Sequence, residues 1–358
     1  MLFDLNPKER AADLYDRKSE LEELSRSLKL GERLTVVYGV RRIGKTSLIH
    51  VFLSKREIPY VFIDARKIYL EHASIQKTVL YELIATEFLN FVERMGLDEE
   101  ESLAKRYPSM FTSKELTSML KDINEWCVEK KMLFAIVFDE AQYLRFGGSI
   151  KYDMLLAWSV DNLANIRYIL TGSEVGMLKD FLMHEDVKAP LYGRFRNEIV
   201  LGRFDKRTAE EFLSKGFEEL GRRVSKAEID AAVLKVGGLV GWLTYYGYYR
   251  GVKGMPNDGA IGAVFDEGSK IVAGEIESLI AKSRARYLSV LKCISKERVG
   301  WAEIKRAVTH DTGVISDTRL NAVLQSLVKF GIVERAEGDA YILVDQITSY
   351  AVEKMKLT

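Results

Sequence analysis

Apolar residues in this chain fall into short unbroken runs, separated by stretches in which they recur every three or four positions. Leu21, Leu24 and Leu28 mark residues 17–30 as a helix, with Asp16 placed to cap its start. Leu34–Tyr38 (LTVVY) reads as a buried strand stopped by Gly39, and residues 46–54 resume as a helix. Tyr60–Asp64 (YVFID), residues 133–138 (LFAIVF, ending at Asp139-Glu140) and residues 167–170 (before Thr171-Gly172-Ser173) read as further buried strands. Residues 199–201 are a candidate fifth strand. Helices are expected over 73–95 and 113–130, around a polar stretch, and over 151–163. Strands that are apolar on both faces and alternate with helices predict a parallel sheet covered on both sides, over about residues 14–203.

Beyond Arg203 the rhythm is helical throughout. Residues 207–220, 225–236 and 239–250 are candidate helices, the last two separated by Gly237-Gly238. After a Gly- and Pro-containing stretch, 251–259, another helix runs to about residue 281. The end of the chain then predicts helices at 285–295, 301–308 and 316–330. Two short strands follow, around 332–335 and 340–344, joined by Glu337-Gly338-Asp339. Three helices followed by a hairpin is the order of a winged helix-turn-helix.

Composition narrows the class. Of 358 residues, 47 % are hydrophobic and 29 % charged, which excludes disorder, collagen and a disulfide scaffold. Lys and Arg total 53 against 52 Asp and Glu, so no basic coat for nucleic acid exists. Cys127 and Cys293 lie too far apart for a zinc cluster or redox pair and read as small core hydrophobes. His50, His72, His184 and His310 are scattered, without metal-ligand spacing. No run approaches the roughly 20 apolar residues of a membrane helix, and the N-terminal MLFDLNPKERAADL lacks a signal-peptide core. A cytoplasmic protein that makes no membrane contact is the expectation.

Gly39-Val40-Arg41-Arg42-Ile43-Gly44-Lys45-Thr46 fits G-x-x-x-x-G-K-[ST] between a strand and a helix. The glycines let the backbone curl so that N–H groups of the loop, with the helix N-terminus behind them, point at phosphate oxygens. Gly39, Arg42, Ile43, Gly44, Lys45, Thr46 and Ser47 are the candidate nucleotide-binding residues. Lys45 would reach the β- and γ-phosphates, and Thr46 would ligate Mg²⁺. About 93 residues further on, a buried strand delivers Asp139 and Glu140 to the sheet's C-terminal edge, where ligands of such sheets bind. Asp139 would hold Mg²⁺ through water and Glu140 would act as general base on the attacking water. Thr171 and Ser173 end the next strand, where they either address the γ-phosphate and water or make a simple turn. Arg194, with Arg196 behind it, is a candidate for stabilising transition-state charge and otherwise a surface arginine of a basic loop. Arg41 and Arg42 are expected to include at least one partner of an acidic neighbour.

These residues carry a resemblance. Tyr15-Asp16-Arg17-Lys18-Ser19-Glu20-Leu21 resembles the F-x-G-R-E-x-E-L box of the archaeal ATPase family, in the STAND branch of AAA+ P-loop ATPases. The phosphate loop is similar to that family's G-x-R-R-x-G-K-T-S-L. Asp139-Glu140-Ala141-Gln142 resembles its D-E-x-Q Walker B, and Leu170-Thr171-Gly172-Ser173 its L-T-G-S. Pro190-Leu191-Tyr192-Gly193-Arg194 is similar to its P-L-x-G-R. Gly237-Gly238-Leu239-Val240-Gly241-Trp242-Leu243 resembles its lid motif G-G-x-P-x-x-L, with Val240 in place of proline; Asp16 likewise replaces a common glycine. The match spans roughly residues 1–250.

The resemblance implies an α/β P-loop NTPase core with a central parallel sheet over 1–205, an all-α lid over 206–282 and a winged helix over 283–358. ATP or ADP with Mg²⁺ would sit between core and lid, near residues 39–46, with Tyr15 and Arg17 on the adenine side. The implied activity is slow ATP hydrolysis whose nucleotide state sets the arrangement of core, lid and winged helix. Two alternatives remain at this stage: a DNA-binding regulator or DNA-processing ATPase, and an ADP-held switch or scaffold with little turnover. DNA is possible but not favoured. Residues 283–358 carry 12 Lys and Arg against 9 Asp and Glu, and the expected wing holds Glu334, Glu337 and Asp339 beside where phosphates would lie. Self-association or a protein partner through the winged helix is the preferred expectation.

Overall fold

The computed structural model describes residues 1–55, 58–98, 100–112, 115–182 and 186–357. His184 lies outside the described residues, as do Ser113 and Lys114 at the start of one expected helix. The chain divides into two compact units. One holds residues 17–39 and 45–201, the other residues 1–16, 40–44 and 202–358.

The first unit is built on a five-stranded parallel sheet: β1 (Leu34–Tyr38), β2 (Tyr60–Asp64), β3 (Phe134–Asp139), β4 (Ile166–Gly172) and β5 (Asn197–Val200), in the order β2-β3-β4-β1-β5. The three central strands are buried along their whole length, as continuous apolar runs require. β5, at an edge, buries only Ile199. Helices Lys77–Arg94 and Leu116–Lys130 cover the sheet through a cluster in which Phe88 meets Trp126 and Phe134 edge-on, with centroids 5.0 and 5.4 Å apart. Cys127 lies buried in the same cluster, which pushes its thiol up to about 12.

The helix expected over 73–95 is Lys77–Arg94, and a further helix that the periodicity did not mark, Ala65–His72, precedes it. Asp64, the last residue of β2, accepts a hydrogen bond from the Lys67 N–H at 2.9 Å, so helix Ala65–His72 starts directly at the strand end. Ala73, left-handed at φ +54°, then ends it, and Lys77–Arg94 begins afresh. The polar stretch after residue 95 contains helix Glu100–Arg106, whose few apolar positions gave no helical period.

The second unit is helical, and it ends in a winged helix. Helices Lys206–Glu219, Lys226–Val236 and Val240–Gly247 pack against one another, and the first and third hold the N-terminal segment. Phe3 is fully buried there, edge-on to Phe212 and Phe217. Gly216 and Gly247 make its socket: a Cβ on either would come within 2.2 Å of the ring. The long helix Asn257–Ile280 follows, then Arg284–Ile294, Trp301–Thr312 and Asp317–Lys329. A small antiparallel sheet, β6 (Val299–Gly300), β7 (Val333–Ala336) and β8 (Ala340–Leu343), has the order β6-β8-β7. A last helix, Gln346–Lys354, went unread in the sequence. It lies on the long helix through Tyr350 against Phe265 (5.3 Å) and Lys354 against Asp266 (3.0 Å).

Candidate nucleotide site

Parallel register aligns the C-terminal ends of three central strands. Tyr38 pairs with Gly172, and Phe138 with Leu170. Gly39, Asp139-Glu140 and Thr171-Ser173 therefore emerge side by side at one edge of the first unit.

Asp139 is at the centre of this edge. The Thr46 hydroxyl donates to its Oδ2 at 2.9 Å, and the Thr171 hydroxyl donates to its Oδ1. Burial raises the Asp139 carboxyl above its ordinary value; the bond from Thr171 opposes this, and the neighbouring charge of Glu140 adds to it. Glu140 moves the other way. Burial works to raise it, but the Lys45 charge, the Ser173 N–H, the Gln142 amide and the Ser173 hydroxyl together hold it below the usual carboxylate range. Its Oε2 accepts from Gln142 Nε2 at 2.6 Å, Ser173 N at 3.0 Å and Ser173 Oγ at 2.7 Å. Glu140 is left-handed at φ +53°, which turns the chain directly after the strand. Lys45 is 6 % exposed, and its Nζ donates to the Gly39 carbonyl at 2.8 Å. Ser47 sits in the first turn of helix Lys45–Ser54.

The loop between Gly39 and Lys45 alternates handedness, with Arg42 at φ +65° and Gly44 at φ +97°. Such alternation aims successive N–H groups inward, as an anion cradle requires. Ile43 is fully buried. Both arginines, which belong to the second unit, meet one carboxylate within it: Arg42 binds Glu275 through two nitrogens (3.2 and 2.9 Å), and Arg41 reaches it at 3.1 Å.

A family model described as an ATPase domain predominantly from Archaea matches residues 14–245. The chain belongs to this archaeal ATPase family. A second model, the C-terminal winged helix-turn-helix domain of MCM proteins, matches residues 281–344. Among solved structures, the Walker-type ATPase of Pyrococcus abyssi is 32 % identical, covers 99 % of this chain and 100 % of its own, and superposes with a TM-score of 0.88. The ORC2 protein of Aeropyrum pernix, solved in ADPNP and ADP complexes, is 16 % identical, covers 98 % and 97 %, and gives a TM-score of 0.63, a likeness of fold. No curated protein matches the chain.

The ATPase does not bring all its candidate residues to one place. Arg194 donates to Asp161 Oδ1 at 2.9 Å and to the Pro190 carbonyl. The Asp161 and Val160 carbonyls in turn accept from Arg33, the residue before β1. Arg194 is therefore held where β1 and β4 begin, about one strand length, roughly 16 Å, from the edge that carries Asp139. Arg196 pairs with Glu198 at 2.7 Å. Tyr15 packs edge-on against Phe204 and Phe212 and donates to Glu211 at 3.3 Å. Arg17, 7 % exposed, reaches Glu20 at 3.3 Å. Val240 lies with Cγ1 3.5 Å from the position a Cβ would take on Gly44.

Two residues of the arrangement carried no readable role in the sequence. Gln142 was visible only as a letter of the D-E-x-Q resemblance. Glu275 is one acid among many on a long helix, 233 residues from Arg42, and nothing local distinguishes it. Among the described residues no group of His, Cys, Asp and Glu could by itself hold a metal ion, and no helix is long and apolar enough to cross a membrane.

Proposed function

We propose that this ATPase binds ATP with Mg²⁺ at the loop of residues 39–46 and hydrolyses it slowly. The observation that supports this most strongly is the Asp139 carboxylate, held by the Thr46 and Thr171 hydroxyls one residue before an ionised Glu140. The loop's N–H groups and Lys45 would bind the phosphates. Thr46 and Asp139 offer adjacent hard oxygens, which suit Mg²⁺ with its remaining waters kept; the ion would supply charge compensation at the β- and γ-phosphates. Glu140 would accept the proton of the attacking water, and its low pKa keeps it ready to do so. Slow turnover would suit this arrangement, since Glu140 Oε2 already accepts three hydrogen bonds. Thr171 would orient the site through Asp139. Tyr15 and Arg17 would border the adenine, a reading carried by family resemblance alone. Arg194, one strand length from its own Asp139, would serve a neighbouring copy.

Residues 1–205 would act as the core, 206–282 as the lid and 283–358 as the winged helix, rearranged by nucleotide state in a cytoplasmic protein. The winged helix is better suited to protein packing, including self-association, than to DNA. Glu334 of its wing pairs with Arg203 (2.6 Å), and Asp317, at the start of the helix that would enter a groove, pairs with Lys305 (2.5 Å). Titration of a fluorescent ATP analogue with and without Mg²⁺ tests the site. Mg²⁺ should tighten binding to the wild type and do little for Asp139→Asn; equal Mg²⁺ dependence in both would refute the assignment.

A further inference from the structure

Arg42 is a side-chain-bearing residue in the left-handed region. That conformation is costly, and it persists only where its surroundings over-determine it. Three contacts do so here. Glu275 takes two guanidinium nitrogens, the guanidinium carbon lies 4.4 Å from the Trp242 ring centroid, and the Arg42 carbonyl accepts from the Gly241 N–H at 2.9 Å. Gly241 is needed for that approach, because a Cβ there would come within 2.7 Å of Arg42 Cβ. Arg41 shares the same carboxylate, and all three side chains are mostly buried: 19 % exposed for each arginine and 25 % for Glu275. Partly desolvated charges held in fixed geometry couple more strongly than exposed pairs.

We propose that Glu275 is a positioning residue for nucleotide binding: acting through Arg41 and Arg42, it holds the tip of the phosphate loop in its phosphate-receiving shape. This rests on reading residues 39–46 as the nucleotide site. Glu275 stands on helix Asn257–Ile280, which also carries Phe265 and Asp266, the partners of Tyr350 and Lys354 in the last helix. One rigid element therefore touches both the loop tip and the winged-helix end of the same unit.

The test compares wild type, Glu275→Gln, Glu275→Asp, Arg41→Gln/Arg42→Gln and the triple variant. Amide hydrogen exchange in the nucleotide-free protein should quicken by about 10-fold or more over residues 40–44 in Glu275→Gln. Affinity for a fluorescent ATP analogue should fall by about 5–10-fold, and Glu275→Asp should recover part of both. The triple variant should be no worse than the double arginine variant, because Glu275 acts through those side chains. Unchanged exchange at the loop, unchanged affinity, or a Glu275→Gln effect that adds in full to the arginine loss would overturn the proposal. A wild type that binds no analogue would overturn the functional reading instead, and the exchange measurement would still decide whether Glu275 holds the loop.

Discussion

Thr46 and Asp139 are 93 residues apart in sequence and 2.9 Å apart in the fold, hydroxyl to carboxylate. That bond joins helix Lys45–Ser54, which follows the loop of residues 39–44, to the end of β3. It does so beside a second carboxylate, Glu140, whose ionisation is shifted the opposite way.

The opposed shifts predict opposite stability effects. Asp139 binds its proton more tightly folded than unfolded, so its stabilising contribution is present at low pH and lost as pH rises through its raised value. Asp139→Asn removes that penalty and should raise the melting temperature near pH 7. Glu140 is held below its unfolded value, so its contribution is present above about pH 4.3 and lost as pH falls through the lowered value. Glu140→Gln should therefore lower the melting temperature at pH 7. The two differences should shrink in acid. Thermal melts across pH check this; shifts of the same sign at pH 7 would count against the assigned environments.

Ser173→Ala removes one of the bonds that keep Glu140 ionised. The acid limb of the pH–rate profile should move to higher pH, because losing a hydrogen bond to the charged form raises the pKa. A profile unmoved by the substitution would separate Glu140 from the rate.

Two glycines should respond in opposite directions to alanine. A Cβ on Gly238 would sit 2.1 Å from the Phe204 carbonyl oxygen, where backbone must shift, so Gly238→Ala should cost about 2–4 kcal/mol. Gly274 is exposed within helix Asn257–Ile280 and has no atom within 4 Å of such a Cβ. Gly274→Ala should stabilise by about 0.5–1 kcal/mol. Urea unfolding midpoints measure both.

Arg194 is paired with Asp161 where β1 and β4 begin. Arg194→Ala should leave the nucleotide affinity of an isolated chain within about 2-fold of wild type. Mixed with Lys45→Ala chains, it should regain hydrolysis if copies complete one another's sites. A large loss of affinity in the lone chain, read by equilibrium binding, would place the arginine in its own site.

The sheet was legible because β1, β3 and β4 are buried on both faces, and burial on both faces leaves an unbroken apolar run. That Gly39 and Asp139 share one sheet edge was legible because the loop of residues 39–44 and the Asp-Glu pair each follow such a run. What escaped the sequence depends on packing at long range. Phe3 looks like any early aromatic until Gly216 and Gly247 open a socket for it. Glu275 gains its meaning only when two arginines from the loop meet it. Helix Ala65–His72 was hidden because Asp64 ends a strand and caps a helix at once.

Steady-state ATP hydrolysis by wild type, Lys45→Ala and Glu140→Gln, with and without duplex DNA, decides whether residues 39–46, Asp139 and Glu140 form a hydrolytic site. Slow, Mg²⁺-dependent turnover is expected in the wild type, with a fall of about 100-fold or more in both variants and no stimulation by DNA. Turnover that survives in Lys45→Ala or Glu140→Gln would contradict the assigned site, and strong stimulation by DNA would contradict the reading of the winged helix as a protein-packing module.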